Sequence, residues 1–208
     1  MLDGGLALGE WRTPDDGRTG ANDGIAPWIF ALKYGGRRDV ARLLGAALGT
    51  LLADNLLADE LPADEKSADE KSAASARAPV RLVPIPLHAL RRFERGYDQA
   101  ALLARAAAEA LAGRGIAALS IAALRRGRST RPQGSAFAAP RRVNVRGAFE
   151  PRSERIARHV RGHGVWLVDD VVSSAATVSA AARALRTMGA ARVHLLILAR
   201  GAGGGANR

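Results

Sequence analysis

The chain has no cysteine, which excludes disulfides, thiolate metal sites and cysteine nucleophiles and leaves any chemistry to oxygen and nitrogen groups. Aromatic residues make up only 4% of it, a thin supply for the stacking platforms on which single-stranded nucleic acid is usually held. No run of eighteen apolar residues occurs, so no membrane span is expected. The Met1-Leu-Asp-Gly-Gly start lacks the basic and apolar regions of a secretory signal, and a soluble, cytoplasmic protein is the expectation. Lysine is scarce too, with three against 28 arginines. What is present suffices for one core: 208 residues, 48% of them hydrophobic, predict a single domain with appendages.

The net charge of +11 is unevenly spread, with −3 in residues 1–26, +3 in 27–52, −4 in 53–78 and +15 in 79–208. Such a field favours polyanionic ligands, either a phosphorylated metabolite or a nucleic-acid backbone, without choosing between them.

Residues 1–26 are rich in Gly, Asp and Thr without an apolar period and read as a disordered tail. In residues 27–58, Val40, Leu43, Leu44, Ala47, Leu48, Leu51 and Leu52 recur at helical spacing, predicting a helix of about five turns that acts as a hood beside the main sheet. Residues 59–78 hold the direct repeat Ala63-Asp-Glu-Lys-Ser67, Ala68-Asp-Glu-Lys-Ser72 and read as a charged linker. From residue 79 to 200 apolar runs alternate with helical patterns. Strands are expected near 80–84, 118–124, 145–149, 165–169 and 193–199, and helices near 97–112 and 176–188, in an α/β parallel sheet flanked by helices. Residues 201–208 read as a flexible tail.

In such sheets ligands gather outside the carboxyl ends of the strands. Val165 to Val168 form an apolar strand that delivers Asp169 and Asp170 to that end. Adjacent side chains on extended backbone diverge, so one carboxylate can reach a ligand hydroxyl while the other faces a neighbouring loop. Ser173, Ser174 and Thr177 then bring hydroxyls, and Ala175 and Ala176 leave backbone amides open at a helix start, where anions are favoured. Carboxylates for a diol beside amides for a phosphate point to a sugar phosphate.

The stretch 165–177 resembles the phosphoribosyl pyrophosphate (PRPP) motif of type I phosphoribosyltransferases: four apolar residues, then Asp-Asp-x-x-Thr-Thr-Gly-x-Thr. The resemblance implies that Asp169 and Asp170 take the ribose hydroxyls and that Ser173, Ser174, Ala175, Ala176 and Thr177 take the 5′-phosphate. Ala175 stands where the family has glycine. A second block, Val83-Pro-Ile-Pro-Leu87-His88 followed by Arg91 and Arg95-Gly-Tyr-Asp-Gln99, is similar to the pyrophosphate loop of the ComF-like (competence protein F) group within that family. It implies Leu87, His88, Arg91 and Arg95 as diphosphate or second-substrate contacts. A third block, long and basic between two strands, reads either as an active-site lid or as a nucleic-acid-binding loop. Its Thr130, Gln133 and Arg141 ahead of Asn144-Val-Arg-Gly-Ala-Phe149 resemble that group's pattern, which implies the lid, with Ser135, Ala136, Phe137 and Pro140 departing from it. Lys33-Tyr-Gly-Gly-Arg37 is a fourth match, so the resemblance covers residues 27–200.

The resemblance therefore implies a type I phosphoribosyltransferase fold with a small N-terminal helical hood. It also implies Mg²⁺ carried by PRPP, with no metal ligated directly by the protein, and transfer of a phosphoribosyl group to or from a base or amine. The alternative it implies is an accessory role in DNA uptake, with single-stranded DNA and a helicase as partners.

Overall fold

The computed structural model describes residues 2–11, 24–58, 78–87, 89–127, 148–172 and 175–201. Five parallel strands form one sheet in the order β1-β7-β6-β2-β3: Gly4–Trp11 (β1), Arg192–Gly201 (β7), Gly164–Val172 (β6), Val80–Pro84 (β2) and Ala118–Ser120 (β3). Leu124–Arg126 (β4) and Phe149–Pro151 (β5) make a separate antiparallel pair.

The period-2 alternation of the central strands splits the core into two layers. Leu82, Val168, Leu196 and Leu198 face a cluster made with Ala26–Tyr34 (α1), Arg38–Ala58 (α2) and Gln99–Gly113 (α4). Val83, Val165, Leu167 and Val193 face a second cluster made with Glu154–Ala157 (α5) and Ala175–Thr187 (α6). Ala89–Arg95 (α3) is a short helix after β2.

Helix α4 shows how the sequence sets an element. Asp98 is its N-cap, its Oδ1 accepting from the Ala101 amide at 3.2 Å, and an alanine-rich run follows. Gly115, with φ +77, turns the chain after its end. Asp98 has a second task, because its Oδ2 accepts from the Leu87 amide at 3.3 Å and ties the loop leaving β2 to this helix. Asp98→Ala is therefore expected to cost about 1–2 kcal/mol, the upper part of the range for a lost N-cap, in urea denaturation.

Several expectations need correction. Residues 4–11 are not part of a disordered tail: they form the edge strand β1, in parallel register with β7 from Gly4↔His194 onward. Asp3 anchors it, its Oδ2 accepting from the Val193 amide at 2.7 Å and pairing with Arg186, while Leu6 and Leu8 pack on the core. Residues 1 and 12–23 and most of the 59–78 linker lie outside the described residues, as do 202–208. Helix α2 is longer than expected and lies over β1 and β7 and along α4. By length and composition it could cross a bilayer, yet Leu44, Leu48 and Leu52 are buried within the fold, as in a core helix. The expected strand at 118–124 is two strands in different sheets, and the one at 145–149 is represented by β5, in the antiparallel pair. Strands of three residues carry too little periodicity to reveal their partners.

Candidate active site at the carboxyl ends of β2 and β6

Strand order reverses at β2: the chain goes from β2 to β3 on one side, then to β6 and β7 on the other. The crevice outside the carboxyl ends of β2 and β6 is therefore the topological switch point, the place where open parallel sheets bind ligands. Pro84 pairs with Val168, and the Ile85 amide donates to the Val168 carbonyl at 2.9 Å, so the two strands stay joined up to the residue before Asp169.

Strand β6 runs on to Val172, which puts both aspartates inside the strand rather than beyond its end. They diverge as extended backbone requires. Asp170 turns to the α1 side, where its Oδ2 lies 3.5 Å from Lys33 Nζ, and it is 8% exposed. Asp169 is half-buried and interacts electrostatically with Asp170, Lys33, Asp98 and Arg126. Each aspartate also accepts a hydrogen bond from the amide of the next residue, Asp169 at 2.8 Å and Asp170 at 2.6 Å.

Burial first, and the neighbouring Asp170 charge second, push the Asp169 carboxyl well above the ordinary carboxylate range. A raised native pKa means the folded state holds that proton longer than the unfolded chain. The contribution to stability is full below about pH 4, the unfolded value, and is lost as pH rises through the native pKa. Asp169→Asn is expected to raise the melting temperature of the ligand-free protein at neutral pH by a few degrees, and to flatten that loss in a melting series from pH 4 to 8.

Two residues not marked as site residues from sequence join the aspartates. Lys33 is brought there by a chain of contacts: Gly96, with φ +72, turns the backbone after α3, and the next residue, Tyr97, donates its hydroxyl to the Leu32 carbonyl. Arg38 lies 5.5 Å from the Tyr97 ring centre and donates to the Gly96 carbonyl at 3.2 Å. The Lys33-Tyr-Gly-Gly-Arg37 and Arg95-Gly-Tyr-Asp-Gln99 blocks thus meet in space to place one ammonium. The signal was the first block itself, whose partner lies far along the chain. Arg126, at the end of β4, packs over the Phe149 ring at 5.2 Å, and burial lowers its pKa. Its Nε is buried without a hydrogen-bond partner among the described residues, and its charge is felt by Asp169 and Arg91.

Of the other expected site residues, Leu87 sits half-buried at the β2 exit and Arg91 is exposed on α3 near Arg126. Arg95 lies over the Tyr34 ring at 5.5 Å. Ala175 and Ala176 are exposed first residues of α6, and Thr177 follows them. Helical backbone at Ala175, the first residue of α6, needs no glycine. His88, Ser173, Ser174, Thr130, Gln133 and Arg141 lie outside the described residues.

The phosphoribosyl transferase domain matches residues 100–207, from the first turn of α4 to past β7. This chain belongs to the phosphoribosyltransferase family. Within it the chain is ComF-like, as its relatives show. It is 30% identical over 176 residues to DNA utilization protein YhgH of Escherichia coli K12, covering 85% of this chain and 67% of that protein. The Salmonella typhi protein of the same name is 34% identical over 122 residues, 59% of this chain and 50% of the relative. Competence protein F of Haemophilus influenzae is 29% identical over 124 residues, 60% of this chain and 52% of the relative. The match to the Salmonella protein spans half of that relative's length. The five-stranded parallel sheet flanked by helices is the type I phosphoribosyltransferase fold of that family.

Proposed function

We propose that this protein binds PRPP with Mg²⁺ at the carboxyl ends of β2 and β6 and transfers its phosphoribosyl group to or from a base or amine. The observation that carries the reading is the adjacent Asp169-Asp170 pair at the switch point, one carboxylate beside Lys33 and the other facing Arg126, with α6 starting just beyond. In this reading Asp169 and Asp170 accept from the ribose hydroxyls. Ser173 to Thr177 present amides and hydroxyls to the 5′-phosphate. Leu87, His88, Arg91 and Arg95 serve the diphosphate, and Thr130, Gln133 and Arg141 cover the bound ligand.

The donor set suits Mg²⁺ held largely through ligand oxygens. Among the described residues no group of three His, Cys, Asp or Glu could hold a metal alone, whereas two crowded carboxylates, one of them reluctant to ionise, favour a cation brought by the substrate. When bound, the metal would neutralise diphosphate charge. The chain's own part is to fix the ribose and stabilise what leaves: the bond from the anomeric carbon to the diphosphate oxygen breaks, the nucleophile enters from the opposite face, and the arginines offset the charge on the departing oxygens.

Calorimetric titration with PRPP, with and without Mg²⁺, tests the reading, followed by diphosphate release across candidate bases. Saturable Mg²⁺-dependent heat is expected, and its absence would overturn the proposal. A second reading, an accessory role in DNA uptake with single-stranded DNA and a helicase partner, draws on the +15 charge of residues 79–208 and on the relatives' names. It requires oligonucleotide affinity that falls steeply with salt.

A further inference from the structure

The amino ends of the strands, opposite the acidic pair, surround a cavity of about 1070 Å³. That is room for a ligand of nucleotide size. Its walls come from the first residues of β1, β2, β6 and β7, from the carboxyl-terminal end of α2 and from the residues that follow α4, and among the described residues no Asp or Glu lines it.

The two halves of the cavity differ in chemistry. On the β6 and β7 side, Trp166 and His194 stack with ring centres 4.7 Å apart, with Arg192 on the same strand as His194, while Arg81 lines the cavity from β2. Burial lowers the His194 pKa and favours the neutral imidazole, which suits stacking rather than ion pairing. Arg81 is fixed by donating to the His159 and Pro79 carbonyls at 2.8 Å each, and Arg192 has no ion pair among the described residues. Gly4 keeps this wall open, since a β-carbon there would lie 3.3 Å from His194 Nδ1. On the helix side, Leu56, Leu57 and Ile116 are apolar. Arg114, also on this side, is already paired with Asp54 at 2.6 Å.

Arginines alone would take any anion, and a stacked ring pair beside aliphatic side chains would take any aromatic. Their combination selects an aromatic anion. We propose that this cavity binds a nucleoside monophosphate. The base lies against Trp166, His194 and the aliphatic side chains, and the phosphate lies on Arg192. This site is separate from that of the acidic pair, since Gly164 and Asp169 are about 17 Å apart along β6. The proposal does not depend on PRPP binding.

Fluorescence of Trp166 in a Trp11→Phe/Trp28→Phe background reads the site directly. Adenosine 5′-monophosphate is expected to quench it saturably. Arg192→Ala and, independently, Gly4→Val are expected to weaken binding about tenfold or more, while Asp169→Asn/Asp170→Asn leaves it within about twofold. Adenosine and inorganic phosphate should each bind at least about tenfold more weakly than the nucleotide. Four results would overturn the proposal. They are no saturable quench, loss of binding in the aspartate variant, phosphate binding as tightly as the nucleotide, and response to an oligoadenylate but not to the mononucleotide.

Discussion

Saturating PRPP with Mg²⁺ is expected to raise the melting temperature of the parent protein by about 5–10 °C and to leave Asp169→Asn/Asp170→Asn unmoved. A ligand at one hundred times its dissociation constant stabilises by about 2.7 kcal/mol. In a chain of this size each kcal/mol is worth about 2–4 °C. The double variant keeps Lys33, Arg91 and Arg126, so bare attraction for phosphate would survive or grow. What it loses is the carboxylate pair that accepts from the ribose diol and favours the accompanying cation. Its ligand-free form gains from removing the strained Asp169 charge and loses the Lys33–Asp170 ion pair, at 3.5 Å and largely shielded from solvent. A variant that folds and yet shows no Mg²⁺-dependent shift would separate binding from stability. A full shift in the variant would move PRPP away from the aspartates.

The outline of this site could be read from sequence because it is local. Four apolar residues followed by two aspartates define a strand and its ligand-facing end within one short stretch, and β6 with α6 follows that pattern closely. The cations opposite the aspartates could not be read the same way. Lys33 reaches Asp170 only because Tyr97 bonds to Leu32 and Arg38 to Gly96, contacts between segments about sixty residues apart in the chain. Arg126 faces Asp169 only because β4 pairs with β5 rather than joining the main sheet. Strand β1 escaped notice for a different reason. Edge pairing is made by backbone groups, and Gly4, Gly5 and Gly9 carry no side chains from which a period could be read. The Ala175 departure is likewise explained by conformation rather than composition, because a residue that begins a helix has no need of glycine's extra freedom.

Gly45→Leu/Gly49→Leu is expected to lower the unfolding free energy by about 3–6 kcal/mol, the largest stability effect of any exchange considered. The two glycines are one turn apart on the face of α2 that meets α4. A β-carbon on Gly45 would lie 2.6 Å from Ala106 Cβ and 2.8 Å from the Leu103 carbonyl oxygen. One on Gly49 would lie 2.6 Å from the Ala107 carbonyl oxygen and 2.8 Å from Ala110 Cβ. Backbone atoms cannot swing aside, so the helices must separate. Replacing glycine inside a helix would otherwise gain about 1 kcal/mol, which sets the sign test: even alanine at either position should destabilise if the contact is as close as this. Separation would reach the active site, because α1 packs on α2 and carries Lys33, and α4 carries Asp98 at its start. The urea midpoint of the double variant should fall steeply. Leu43→Ala on the exposed side of α2, where Leu43 is 58% exposed, should change the free energy by less than about 0.5 kcal/mol. In the single Gly49→Ala variant, which keeps most of the fold, PRPP affinity should weaken along with stability, since helix spacing and the placement of Lys33 are set by the same contact. Unchanged stability with alanine at both glycines would show that α2 and α4 do not approach so closely, and the route from their packing to the acidic pair would fail with it.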